Sequence, residues 1–325
     1  MSSVSSNKAR QRGTASSMKW DRCSLNSPAG STGRRPLPEP ASVANLLLMA
    51  VIHVCRKAVL IDPKYKIGIY LIFLFVGSAL GDAGFPYPKT YFSNSRNVLN
   101  QYFVKLGWGW TLSLTSAYIY LTASVYCAGD RTRVVNHLLR MIVATAIWFT
   151  CTNLFVYVEN QTASCSSPKF KTRQNCIMKG HRWLGFDISG HCFILIFSHL
   201  VISEELRSLV NWERIADIVR NEPFDADSPI KDLDADQKLA LKTYYDKYTP
   251  YIRGLFILLT LLAILWDMML VATVFYFHNM VQKVLGGIFA IVPWYFIYKF
   301  WYPSGVLPPS PGVGLVKYSE VYRRG

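Results

Sequence analysis

Charge is scarce in this sequence. Only 17% of its 325 residues are Asp, Glu, Lys or Arg, against about 25% in soluble globular domains, which argues against a soluble enzyme. The first 42 residues hold no apolar leader run. They are polar and rich in Ser, Pro and Arg, and read as a disordered, basic cytosolic tail. No aromatic-basic recognition module accompanies those basic residues, which sets nucleic-acid binding aside. No His, Cys or carboxylate cluster has ligand spacing where the chemistry is expected, so no metal and no cofactor is implied. No inverted repeat of broken helices points to a transporter.

Apolar residues make up 51% of the chain, mean hydropathy is +0.19, and the apolar residues lie in blocks with the charges between them. Six blocks approach the roughly 20 residues needed to cross a bilayer: Ile67–Gly84, Val98–Tyr126, Leu138–Val158, Leu184–Ser203, Tyr251–Phe277 and Val284–Trp301. They are too long and too uniformly apolar for barrel strands. The fold class is therefore all-α, a polytopic membrane protein with six transmembrane helices over residues 67–303. Ahead of them, residues 43–66 carry His53, Arg56 and Lys57 at i, i+3 and i+4, with Asn45 and Lys64 on the same face. This predicts an amphipathic helix lying in the headgroup layer; a seventh, poorer span is the other reading. Residues 204–250 hold seven basic and eleven acidic residues and read as an acidic cytosolic loop, and residues 304–325 as a cytosolic tail.

Residues 1–66 contain eleven Lys or Arg against three acids. A basic segment of this kind stays in the cytosol. Six spans then return the C-terminus, with Arg323 and Arg324, to the cytosol and put loops 85–97, 159–183 and 278–283 on the luminal side. Loop 159–183 is itself basic (Lys169, Lys171, Arg173, Lys179 and Arg182 against Glu159), contrary to the usual bias. Two features still favour the lumen. Cys165 and Cys176 are the one cysteine pair close together in a polar loop, where a bridge needs an oxidising compartment. Asn160 opens a glycosylation sequon.

Ionisable residues at the edges of spans point to function. The fourth block opens Gly185-Phe186-Asp187-Ile188-Ser189-Gly190-His191. Asp187 and His191 are four apart, a spacing that shares one helical face and lets the carboxylate orient the imidazole. The fifth block ends at Phe277-His278-Asn279. In the expected topology both histidines lie at the luminal ends of antiparallel helices and can meet on one substrate. His53 and His199 read as structural or interfacial. Asp267, three turns below His278, is a mid-membrane carboxylate with no assigned role, paired with a polar group such as Thr260 or a residue of another helix.

Ser189-Gly190-His191 followed by a second histidine near the same face resembles the lipid phosphate phosphatase arrangement. The Lys-x6-Arg-Pro block of that family is missing, as are its Ser-Arg before the second histidine and its Asp after it. A narrower resemblance rests on GFDISGH, SNSRNVLNQYFVKLGWGWT (93–111), ATAIWFTCTNLF (144–155), VFYFHNMVQKVLG (274–286) and WYFIYKFWYP (294–303). Together, over about residues 67–303, these resemble the fat storage-inducing transmembrane protein family. That resemblance implies an endoplasmic reticulum membrane enzyme that cleaves the diphosphate of fatty acyl-CoA on the luminal side and supports lipid-droplet formation. It places the two catalytic histidines on His191 and His278, with Asp187, Ser189 and Gly190 in support. By analogy with the wider phosphatase family, His278 is the nucleophile and His191 the acid. Lys105, Lys283 and the basic residues of loop 159–183 are candidates for holding the substrate phosphates. The implied partners are fatty acyl-CoA and membrane lipids, including diacylglycerol and triacylglycerol. A non-enzymatic neutral-lipid scaffold, with the histidines structural, is the competing reading.

Overall fold

Each apolar block folds as a helix. In a computed structural model, residues 42–318 are described apart from 85–87, 89, 95, 170 and 225–227; the basic tail and Arg323–Arg324 lie outside the described residues. The helices are α1 (Val43–Val59), α2 (Pro63–Asp82), α3 (Gly107–Tyr126), α4 (Arg131–Thr162), α5 (Arg173–Met178), α6 (Gly190–Leu206), α7 (Arg214–Asn221), α8 (Ala235–Tyr276) and α9 (Met280–Tyr295), with a π-helical turn at Leu99–Val104 and another at Phe296–Trp301. Strands β1 (Ser164–Cys165) and β2 (Trp183–Leu184) form one short antiparallel pair.

Four segments are long and apolar enough to cross a membrane: α2, α4, α8, and Met280–Ser304, which is α9 with its continuation. The chain is thus a multi-pass helical protein. The second and fourth predicted blocks correspond to α3 and α6, which are shorter or more polar than the rest. Residues 99–104 wind as a π-helix, so α3 starts only at Gly107, and α3 buries Thr111, Thr115 and Thr122. Helix α6 has 17 residues, and every one from Cys192 to Leu206 is buried. It is the central helix, packed by α3, α8 and α9, and needs no broad apolar face of its own. Gly286 permits part of that packing: a Cβ there would lie 2.5 Å from the Ser189 carbonyl oxygen.

The predicted interfacial segment is divided. Asp62 caps a new helix, accepting from the Lys64 amide at 2.9 Å, and Pro63 occupies its first turn. Helix α1 therefore stops at Val59, and Lys64 and Lys66 belong to α2. On α1, Asn45, His53 and Lys57 are exposed, Ile52, Cys55 and Val59 are buried, and Arg56 donates to the Leu209 carbonyl at 3.1 Å.

The reading of 204–250 as a loop is corrected. Several of its acids have basic partners, and most of it is helical. Glu204 and Glu205 end α6, both 1% exposed. Glu205 accepts two bonds from Arg140, at 2.7 and 2.8 Å, and one from Tyr298 at 2.8 Å. Glu213 pairs with Arg253 at 2.8 Å. Asp234 and Gln237 form a capping box that starts α8 well before its apolar part. The expected C-terminal tail also packs in. Arg140 donates to the Pro309 carbonyl at 2.8 Å, the Val316 amide to the Tyr126 carbonyl at 3.1 Å, and the Tyr318 hydroxyl to the Ser208 carbonyl at 2.7 Å.

These contacts sort the helix ends into two groups. The ends of α2, α4 and α8 meet the starts of α6 and α9: Asp82 accepts from the Met280 amide at 2.9 Å, Thr162 from the Phe186 amide at 2.8 Å, and the Ser189 amide donates to the Gln282 carbonyl at 3.1 Å. The opposite ends meet around Glu205.

Candidate active site

The start of α6 fixes the first histidine. Ser189 is its N-cap, fully buried, with Oγ accepting from the Cys192 amide at 3.3 Å. His191 is thereby held in the first turn. Residues 185–189 are not helical, so Asp187 does not share a helical face with His191. Gly185 lies against Glu159, where a Cβ would come within 2.1 Å of the Glu159 carbonyl oxygen. This close approach leaves the Asp187 side chain more than half exposed, with Oδ2 3.6 Å from His278 Nδ1. The carboxylate expected to orient His191 thus stands beside the other histidine.

His278 sits in the short connection between α8 and α9. Asn279 caps α9, accepting from the Gln282 amide at 3.1 Å. His278 adopts φ = 57°, a left-handed conformation uncommon outside glycine. Such strain persists where the surroundings impose it, often at functional sites. His278, Asp187 and Lys105 all lie within electrostatic range of His191. The two histidines thus lie at the same end of the bundle, His191 at a helix start and His278 in an interhelical turn.

His191 Nε2 has a partner that sequence reasoning missed. It lies 3.0 Å from Asn100 Oδ1. A carbonyl oxygen can only accept, so Nε2 carries the hydrogen and Nδ1 is left for other chemistry. Asn100 stands on the π-helical turn, and π-bulges are frequent at functional sites. The available signal was the recurrence of Asn94, Asn97 and Asn100 at intervals of three. Asn97 Oδ1 accepts from the Asn100 amide at 2.7 Å, and Asn97 Nδ2 donates to the Asn94 carbonyl at 2.8 Å.

The two lysines diverge. Lys105 is exposed, donates to Gln101 Oε1 at 2.8 Å, and lines a cavity of about 430 Å³ together with His191. Lys283 is 2% exposed and donates to the Val274 carbonyl at 2.8 Å, which ties the end of α8 to α9. Cys165 and Cys176 form a disulfide with Cα atoms 5.8 Å apart. The bridge and the β1–β2 pair fold the 159–183 segment into a small cap whose last strand leads directly to Gly185. Its basic residues, from Lys169 to Arg182, are exposed.

Asp267 belongs elsewhere. Its Oδ1 lies 2.9 Å from His199 Nδ1 and accepts from Tyr70 at 2.7 Å. Lys66 Nζ meets His199 Nε2 at 2.6 Å. Its partner is therefore His199 on another helix; Thr260 instead donates to the Phe256 carbonyl. His199 lies eight residues beyond His191, about 12 Å along α6, so the two clusters are separate.

Fold and site together define a polytopic helical membrane protein with a His–His–Asp centre at one end of its bundle. The sequence model of the fat storage-inducing transmembrane protein family matches residues 88–159 and 155–298, and the chain belongs to that family. It is 44% identical over 297 residues to the acyl-coenzyme A diphosphatase FITM2 of Drosophila melanogaster, covering 89% of this chain and 70% of the relative. The protein of that name from Homo sapiens is 36% identical over 246 residues, 73% of this chain and 82% of the relative. The one from Caenorhabditis elegans is 30% identical over 281 residues, 86% and 93% respectively. No solved structure gives a significant match.

Proposed function

We propose that this chain is a fatty acyl-CoA diphosphatase of the endoplasmic reticulum membrane, with six spans, both termini cytosolic and the histidines luminal, and that its activity supports lipid-droplet formation and lipid homeostasis. The observation that carries the reading is the convergence of His191, His278 and Asp187 at one end of the bundle, in a chain whose relatives bear the name acyl-coenzyme A diphosphatase. The Cys165–Cys176 bridge beside that end favours an oxidising compartment. The alternation of helix ends favours six spans, with α3 and α6 counted among them.

The chemistry follows from the two imidazoles. Asp187 at Nδ1 orients His278 and leaves Nε2 as the nucleophile. Nε2 attacks one phosphorus of the diphosphate, the bond to the bridging oxygen breaks, and a phosphohistidine forms, which divides one difficult displacement into two. His191, held through Nε2 by Asn100, gives the proton on Nδ1 to the departing oxygen. It then takes a proton from the water that hydrolyses the phosphohistidine. Lys105 offsets the charge on the phosphates. A scaffold that only binds diacylglycerol or triacylglycerol would leave the histidines structural, a role that the exposed Asp187 does not need.

The experiment is incubation of purified protein with oleoyl-CoA and identification of products by mass. The proposal requires acyl-4′-phosphopantetheine and adenosine 3′,5′-bisphosphate, with neither formed by folded His278→Asn. Free fatty acid and intact CoA, or undiminished activity in the variant, would reject it.

A further inference from the structure

A groove lined by His191 adjoins the site. It lies between the start of α3, the middle of α4 and the start of α6, with a volume of about 430 Å³. Pockets that hold small-molecule ligands commonly measure about 300–1,000 Å³. Lys105 and His191 are among the residues that line it. Its walls are apolar: Ile194 is one turn below His191 on α6, and Trp108 and Trp148 stack with ring centroids 6.2 Å apart. Gly109 also lines the groove, and a Cβ added there meets nothing within 4 Å. The wall therefore has space where a side chain would otherwise stand. Apart from Lys105, charged and exposed side chains lie in the basic residues of the disulfide-bridged segment and in Asp187 beside His278.

A fatty acyl-CoA is asymmetric in the same way. One side of its diphosphate bears an acyl-pantetheine arm, and the other bears a nucleoside with a further phosphate. Resting on the acyl-CoA reading above, we propose that the acyl-pantetheine arm occupies the groove lined by Trp108, Trp148 and Ile194, and that the bond cleaved is the one between the adenosine-side phosphorus and the bridging oxygen. His191 lines the groove, so the part of the substrate held there is the part that receives the proton. His278 attacks the phosphorus attached to the adenosine 5′-oxygen. The electron pair of the broken P–O bond stays on the bridging oxygen, which departs with the pantetheine phosphate and takes the proton from His191. Water then attacks the phosphohistidine, releases adenosine 3′,5′-bisphosphate and restores His278. The oxygen gained from water ends on the adenosine product.

Two measurements on the full-length purified protein test this. Hydrolysis of oleoyl-CoA in ¹⁸O-water, with both products analysed by mass, should place the label in adenosine 3′,5′-bisphosphate; label in acyl-phosphopantetheine overturns the proposal. The second compares oleoyl-CoA with butyryl-CoA. Gly109→Phe projects into the groove from a helical position where losing glycine favours the helix. It should reduce kcat/KM for oleoyl-CoA about ten-fold more than for butyryl-CoA, the effect of expelling two or so methylenes from an apolar site. Gly68→Phe is the control, on α2 with the same open space and outside the groove; it should leave the ratio between the two substrates unchanged. An unchanged ratio in Gly109→Phe overturns the assignment of the groove. The labelling uses the unaltered protein, so it stands even if the substitution impairs folding. Absence of hydrolysis by the unaltered protein is a different result: it rejects the acyl-CoA reading itself.

Discussion

The two ends of the helix bundle use ionisable residues in opposite ways. At Glu205 the central ion pair is enclosed and matched. Arg140 and Glu205 have side chains 1% exposed and meet at 2.7 Å, and Tyr298, His137 and the Pro309 carbonyl complete the network. At the histidine end the partners stand farther apart and more open: Asp187 is 55% exposed, and its carboxylate is 3.6 Å from His278. Burying a charge is tolerable only when it is paired and hydrogen-bonded, so the enclosed network is suited to holding helices in place. A centre that must receive a charged substrate keeps donor and acceptor capacity unspent. Polarity within this apolar bundle thus takes two forms, one closed and one open.

That contrast can be broken from either end. The largest effect on folding is expected at the closed end. Arg140→Met leaves Glu205 buried without its cation and should cost about 3–5 kcal/mol, a fall of roughly 10 °C in the thermal midpoint of the detergent-solubilised protein. Arg140→Met combined with Glu205→Leu should recover most of the loss. Failure of the double variant to recover would show that the network acts through more than this pair.

At the open end the losses should fall on turnover, with little change in the midpoint. His191→Asn removes the acid. General acid catalysis contributes about 10²–10⁴-fold, and a phosphate leaving group needs little help, so the fall on oleoyl-CoA should be near 10²-fold. The penalty should be greater on a lipid monophosphate, whose alkoxide is a poorer leaving group, if that substrate is cleaved. Equal penalties on both would contradict the role of acid. The smallest effect is expected at Asp187. Asp187→Asn keeps the shape and loses the charge; because the carboxylate is exposed and screened, turnover should fall by roughly ten-fold and recover in Asp187→Glu. A loss as large as that of His278→Asn would mean that the carboxylate contacts the reacting atoms.

The architecture was legible because its cause is coarse. Runs of about 20 apolar residues have few alternatives in a membrane, and all six blocks are helical. That His191 and His278 belong to the same end of the bundle was legible because alternate helix ends share a face. What escaped depended on one or two residues of local backbone. Ser189 delays the start of α6, which moves Asp187 off the helix and towards His278. The π-helical turn carries Asn100 to His191, and an uncharged amide in an apolar block gives little warning of such a contact. Lys283 follows His278 closely in sequence, yet α9 turns it inward to the Val274 carbonyl. The acids of 204–250 suggested a solvated loop because their cations lie far away in sequence, Arg140 for Glu205 and Arg253 for Glu213.

The central claim is that His278 carries the phosphoryl group while His191 assists. Rapid-quench trapping during oleoyl-CoA hydrolysis, followed by peptide mapping, tests it most directly. The account predicts an acid-labile, alkali-stable phosphoenzyme located on His278, absent from His278→Asn and still formed, more slowly, in His191→Asn. A phosphoenzyme that persists in His278→Asn and disappears in His191→Asn would contradict it and exchange the two roles.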